Sequence, residues 1–145
     1  MPDWILRPAT PDDADALADC IRAAYAAYDG RIDDLPDVAG GIADDIRDRR
    51  VWVADASGRI LGGAVLVIAE SHAQLANIAV HPGAGGKGIG KALIATIAAQ
   101  ARAAGARELR LATHVGIPEN VALYQRLGWR ETGRAGNKVL MSKPL

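Results

Sequence analysis

The apolar positions change their spacing several times along the chain, and each spacing predicts an element. Trp4 to Arg7 reads as a short strand. Thr10-Pro11-Asp12-Asp13 reads as a helix start, with a capping hydroxyl, proline at the first helical position and acids in the first turn. Leu17, Cys20, Ile21, Ala24 and Tyr28 then fall on one helical face. Asp29 to Asp37 reads as a loop and Val38 to Arg49 as a second short helix. Val51 to Ala54 reads as a strand and Asp55-Ala56-Ser57-Gly58 as a hairpin turn. Ile60 to Ile68 is so continuously apolar that it predicts a strand covered on both faces. Gln74 to Val80 is a further strand. A glycine-rich segment follows, then a helix from Ile89 to Ala104 with Ile89, Leu93, Ile97 and Ala101 on one face, stopped by Gly105. Glu108 to Thr113 alternates as a strand, Pro118 to Leu127 reads as a helix ended by Gly128, and Trp129 to Thr132 and Lys138 to Ser142 close the chain as strands.

Short turns join the early strands, so these pair antiparallel. A helical crossover joins Gln74–Val80 to Glu108–Thr113, so that pair runs parallel. The expected fold is therefore α/β in the α+β sense: one mixed, mostly antiparallel sheet with helices on both faces. At 145 residues, half of them hydrophobic, the chain suits a single domain spanning residues 1–145.

Composition narrows this picture. Phe is absent, so the core must be mostly Ala, Val, Ile and Leu. Cys20 is the one cysteine and has no intrachain disulfide partner. No basic-then-apolar leader and no apolar run of spanning length appear, which predicts a cytoplasmic protein without a membrane partner. The basic residues lack an interleaved aromatic platform, which argues against nucleic acid. Net charge is zero but uneven: residues 1–70 carry 14 Asp/Glu and 7 Arg, whereas residues 71–145 carry 3 Glu and 10 Lys/Arg. That asymmetry suits either an anionic cofactor in the basic half with a cationic substrate near the acidic half, or two ordinary solvated faces.

The densest chemistry lies in His81-Pro82-Gly83-Ala84-Gly85-Gly86-Lys87-Gly88-Ile89-Gly90-Lys91. Glycines let successive amides turn toward a ligand, and a helix N-terminus adds its positive dipole end, so this is an anion cradle suited to phosphates. Gly83, Gly85 and Gly88 fit G-x-G-x-x-G, with Glu108 twenty residues on, but a dinucleotide fold needs several βαβ units and this chain has about one. Gly85 to Lys91 fits G-x-x-x-x-G-K, but Ala92 stands where a nucleotide loop needs a magnesium-binding hydroxyl. No metal is implied.

The third reading is a resemblance. Residues 77–95, with the segment Asn120 to Trp129, resemble the acetyl-CoA signature and late motif of the GNAT (GCN5-related N-acetyltransferase) superfamily. The resemblance implies a sheet splayed at its parallel pair, between Leu75–Val80 and Glu108–Thr113. It also implies an acyltransferase moving an acetyl group from acetyl-CoA to a primary amine by direct attack in a ternary complex. A non-catalytic CoA-binding sensor stands as the alternative, with a dinucleotide-binding protein behind it. The family pattern places a long polar residue where this chain has Gly85.

By that resemblance, Gly85, Gly86, Lys87, Gly88, Ile89, Gly90 and Lys91 cradle the diphosphate, and Lys87, Lys91 and Arg126 supply cations for the 3′-phosphate. The edge Ile78, Ala79, Val80 pairs with the pantetheine arm, and an amide near Val80 faces the thioester carbonyl. Asn120 contacts the arm or caps its helix. Tyr124 donates to the departing sulfur or is a core tyrosine. The candidate bases are Glu70, His72, His114 and a water chain. Asn77, at the family's usual base position, cannot act as one and stands as an acceptor contact. Tyr25 and Tyr28, with Asp29, Asp33, Asp34 and Asp37, are the candidate wall for a small-molecule or peptide amine. The C-terminal sheet edge is open to pairing in a homodimer.

Overall fold

In the computed structural model the described residues are 3–28, 32 and 38–145. Seven strands form one sheet: β1 (Ile5–Pro8), β2 (Arg50–Ala56), β3 (Arg59–Ile68), β4 (Ala73–Val80), β5 (Glu108–His114), β6 (Arg130–Ala135) and β7 (Lys138–Pro144). Their order is β1-β2-β3-β4-β5-β7-β6, antiparallel throughout except for β4 beside β5. One parallel pair in an otherwise antiparallel sheet is not the doubly wound arrangement of a dinucleotide fold. Among the described residues no helix is long and apolar enough to cross a membrane.

The helices are α1 (Ala14–Ala26), α2 (Ile42–Asp48), α3 (Ile89–Ala103) and α4 (Pro118–Arg126). The α1 start follows the sequence logic with one change: Pro11–Asp13 forms a 3₁₀ turn, and the Thr10 amide donates to Asp13 Oδ2 at 2.7 Å. Arg7 then holds Asp13 with both terminal nitrogens at 2.7 and 2.9 Å, and Asp55 with Nε at 3.0 Å. One guanidinium thus ties β1, the α1 entry and the β2–β3 hairpin. That hairpin turns on Ser57 and Gly58, both left-handed at φ 54° and 94°, as a two-residue loop requires.

Two apolar layers flank the sheet. Leu93, Ile97 and Ala101 of α3 pack with Leu66, Leu75, Leu109, Val139, Met141, Tyr124 and Trp129 on one face. Leu17 and Ile21 of α1 and Ile42 of α2 pack with Val51, Val53, Val65 and Ala79 on the other. β3 is buried from Ile60 to Leu66, as its unbroken apolar run predicts. Within it, Gly62 and Gly63 face opposite helices. A Cβ on Gly62 would lie 2.9 Å from the Ala79 carbonyl oxygen and 3.1 Å from Ile89 Cγ2, and one on Gly63 would lie 2.5 Å from Leu17 Cδ1. The glycine pair therefore sets how closely α3 and α1 approach the sheet.

Candidate active site

β4 and β5 ladder at Ala73↔Leu109 and Gln74↔Arg110, and at no further pair among the described residues. The cause lies on the other edge of β4. Val65 faces Asn77 whereas its neighbour Leu66 faces Leu75, so Ala76 is an extra residue in the strand. Such a bulge bends its strand and increases its twist. It also resets the facing of side chains: Leu75 and Ile78, three apart, both pack toward the α3 layer. Beyond the bulge Ile78, Ala79 and Val80 stay paired with Ala64, Gly63 and Gly62. Their opposite edge has no ladder partner, so a gap opens between the ends of β4 and β5, as the resemblance implies.

The glycine segment closes one end of this gap. The His81 amide donates to the Leu61 carbonyl at 2.8 Å, and a 3₁₀ turn over Pro82–Ala84 follows. The imidazole Nδ1 of His81 accepts from the Gly83 amide at 3.1 Å. Gly85 is extended, at φ −63° and ψ 151°. Gly86 and Gly88 are left-handed at φ 80° and 78°, and a Cβ on either would meet nothing within 4 Å. The cradle is therefore open, and its glycines serve backbone direction rather than close packing. Gly88 caps the fifteen-residue α3, whose first backbone bond is from the Ala92 amide to the Gly88 carbonyl at 3.0 Å. Helix geometry leaves the Ile89, Gly90 and Lys91 amides without intrahelical acceptors, at the positive dipole end. Lys87 and Lys91 are exposed in and just after the segment, Arg126 is exposed at the end of α4, and Lys87 lies 3.8 Å from Asp3.

The chain has three tyrosines, at positions 25, 28 and 124. Tyr124 is buried and meets Trp129 edge-on with centroids 5.7 Å apart. Burial, reinforced by Tyr25 and Tyr28, pushes the Tyr124 phenol up to about 12. Burial also raises Tyr25, with Tyr28 as a second cause, and the two rings lie 6.4 Å apart. Tyr25 donates to Asn77 Oδ1 at 3.5 Å, which joins α1 to the bulged end of β4. The Asn77 Nδ2 and Trp129 Nε1 donors are buried without a hydrogen-bond partner.

Other candidates fall in different places. Asn120 does not cap α4; Ile117 holds the cap position and Asn120 reaches Thr113 Oγ1 of β5 at 3.4 Å. His114 ends β5, and its Nδ1 accepts from the Gly116 amide at 2.9 Å. That bond occupies the lone pair a neutral imidazole would use as a base at that atom. Glu70 is exposed in the β3–β4 turn, closed by the Ala69 amide on the His72 carbonyl at 2.9 Å. The turn precedes Ala73, at the end where β4 and β5 still pair. The gap lies at the other end of an eight-residue strand, at about 3.3 Å per residue. Glu70 and His72 are therefore set apart from the site. Asp29, Asp33, Asp34 and Asp37 lie outside the described residues. Among the described residues no three His, Cys, Asp or Glu gather as a metal site.

Sequence reasoning missed the Ala76 bulge, for which no sequence signal exists. It also missed Gly62-Gly63, whose place inside an apolar run was a usable signal of close helix approach. Trp129 was read as strand; it precedes β6 and is 2% exposed beneath Tyr124.

Comparison with known proteins agrees with this geometry. A family model described as an acetyltransferase (GNAT) domain matches residues 47–131. The chain is 35% identical to an IAA acetyltransferase of Azospirillum brasilense, over 68% of this chain and 69% of that protein. It is 30% identical to the uncharacterized N-acetyltransferase YjgM of Escherichia coli (strain K12), over 97% and 95%. Among solved structures, the PaiA N-acetyltransferase of Thermoplasma acidophilum in complex with coenzyme A superposes with a TM-score of 0.88 at 20% identity, covering 98% of this chain and 99% of that one. A splayed parallel pair beside a glycine cradle, with a family match across both, makes this chain an N-acetyltransferase of the GNAT family.

Proposed function

We propose that residues 1–145 work as one domain that moves an acetyl group from acetyl-CoA to a primary amine, by direct attack with both substrates bound. The observation that carries this reading is the gap beyond Gln74–Arg110, with an open amide cradle at one end. These residues fit the cofactor: Gly86 to Gly90 offer amides to its diphosphate, and the free edge of Ile78 to Val80 offers strand-like pairing to its pantetheine amides. Lys87, Lys91 and Arg126 stand exposed for the 3′-phosphate, and Asn120 lies beside β5 for the arm.

In the transfer, the amine nitrogen bonds the thioester carbon, the carbon–sulfur bond breaks and the amine loses a proton. Backbone amides near Val80 stabilise charge on the carbonyl oxygen. Tyr124, at about 12, keeps its proton at any working pH. It does not hand that proton outright to a thiolate whose acid lies near ~8.5. Its part is to donate a hydrogen bond to the leaving sulfur. Asn77 cannot take the amine proton, His114 Nδ1 is already an acceptor and Glu70 is remote. With none of these described residues taking it, the proton's exit is assigned to water.

Acetyl-CoA should raise the melting temperature, and an amine panel should release free thiol. Tyr124→Phe should lower kcat by about 10²-fold, the usual cost of one transition-state donor, with the Kd for acetyl-CoA unchanged. Thermal stabilisation without thiol release from any amine would return the protein to a CoA-binding sensor.

A further inference from the structure

Resting on that reading, we infer that the acceptor is an α-amino carbonyl compound: a primary amine whose neighbouring carbon bears a carboxylate, amide or peptide carbonyl.

The inference starts from Asn77. The residue is 9% exposed, on the stretch of β4 beyond the bulge. Tyr25 occupies its oxygen, and its NH₂ group is buried with no partner. A buried donor without an acceptor costs about 1–3 kcal/mol, and structures rarely retain one without a reason. Asn77 lies beyond the last ladder pair of β4 with β5, on the stretch whose free edge is proposed to receive the pantetheine arm. A nitrogen attacking the thioester would carry its own substituents past Asn77. The group that satisfies the amide is an oxygen acceptor close to the nucleophile; an ammonium or an alkyl chain offers none.

A second observation agrees. In the register of β5, β7 and β6, Arg110, Lys138 and Arg130 share one sheet face with Ala112 and Leu140. That face is opposite to Val139 and Met141, which pack under α3, and so lies on the α1 side with Tyr25 and Asn77. On it Lys138, opposite His114, stands at the gap end, whereas Arg110 lies at the laddered end opposite Gln74 and pairs with Glu108 of the same face at 3.0 Å. Charge of this sign favours a carboxylate or carbonyl over a polyamine.

The test uses matched acceptors with the side chains of alanine, leucine and phenylalanine. Each is supplied as free amino acid, primary amide, amino-terminal dipeptide and decarboxylated amine. Rates are compared as pH-independent kcat/KM, because α-amines titrate near ~8 and simple amines near ~10, which alone would favour the former. The wild type should prefer at least one carbonyl-bearing form over the matched amine by about tenfold or more. The free acids and dipeptides distinguish a free amino acid from a peptide terminus. Asn77→Leu, of similar volume without the donor, should bring the ratio to within about twofold of one while acetyl-CoA still raises its melting temperature. Equal rates for the decarboxylated amines in the wild type overturn the inference, whatever the variant does. A ratio unchanged in a folded Asn77→Leu overturns it too. Failure of acetyl-CoA to bind the wild type would instead defeat the acetyltransferase reading beneath it.

Discussion

Gly85 and Gly86 are neighbours in the cradle with backbones of opposite hand: φ is −63° at the first and +80° at the second. Gly85 is therefore in a conformation open to any residue, and a Cβ there meets only the Pro82 carbonyl oxygen at 3.8 Å. The missing polar side chain is a feature of sequence and not a demand of the backbone. Gly85→Gln should fold normally and tighten acetyl-CoA by about three- to tenfold, since hydrogen bonds to charged groups contribute about 1.5–3 kcal/mol before ordering costs. Gly86→Ala should weaken it by about tenfold, because left-handed backbone costs an L-residue about 1–2 kcal/mol. Calorimetric titration of both variants decides this.

The Tyr124 phenol gives a pH prediction. Its value is raised to about 12, so the donor form is full below pH 11 and the phenol contributes no alkaline limb in the usual range. With proton loss to water, kcat/KM should instead rise with pH up to the acceptor's own amine pKa and then level. Changing to an acceptor of lower pKa should move the limb by the same amount. A limb fixed near neutrality for all acceptors would point to a protein base.

Arg7 links acid stability to the α1 entry. Its hydrogen bonds hold the Asp13 carboxyl down at about 2, against an ordinary 3.8. A depressed folded value stabilises the fold above the unfolded pKa, and that contribution is lost as pH falls from about 4 toward 2. Arg7→Met should lower the melting temperature at pH 7 by several degrees, and the deficit should shrink toward pH 2. Thermal melts across that range measure it.

Gly62→Ala tests the seat of α3. The new methyl would meet the Ala79 carbonyl oxygen at 2.9 Å and Ile89 at 3.1 Å. Overpacking of this kind costs about 1–3 kcal/mol. Because Ile89 opens α3 directly after the cradle, acetyl-CoA affinity should fall along with stability. The half-buried Gly133, where a Cβ would meet nothing within 4 Å, is the control.

Much of this was legible in the chain. The Thr10-Pro11 start, the doubly covered Ile60–Ile68 strand, and the glycine cradle before Ile89 all rest on local chemistry, and local chemistry is written in consecutive residues. Glu70 stands just before β4 in sequence, but the extended strand places it beyond the laddered end and leaves the gap at the other end. The Ala76 bulge was invisible because it exists only in the pairing of β4 with β3. The bond from Tyr25 to Asn77 likewise joins residues far apart in sequence and exists only once α1 packs on the sheet.

The two-pair seam between β4 and β5 has a consequence beyond catalysis. With so few ladder bonds, the two leaves of the sheet depend on the shared apolar layer in which Leu75 and Leu109 pack with Leu93 and Ile97. A pantetheine arm paired along the gap would act as an extra strand mending the seam. Amides of β5 should then exchange their hydrogens more slowly with CoA present. At a ligand concentration of about 100 times Kd, binding adds about 2.7 kcal/mol to the folded state. The enzyme's survival in the cell would in this way follow the supply of its own acyl donor.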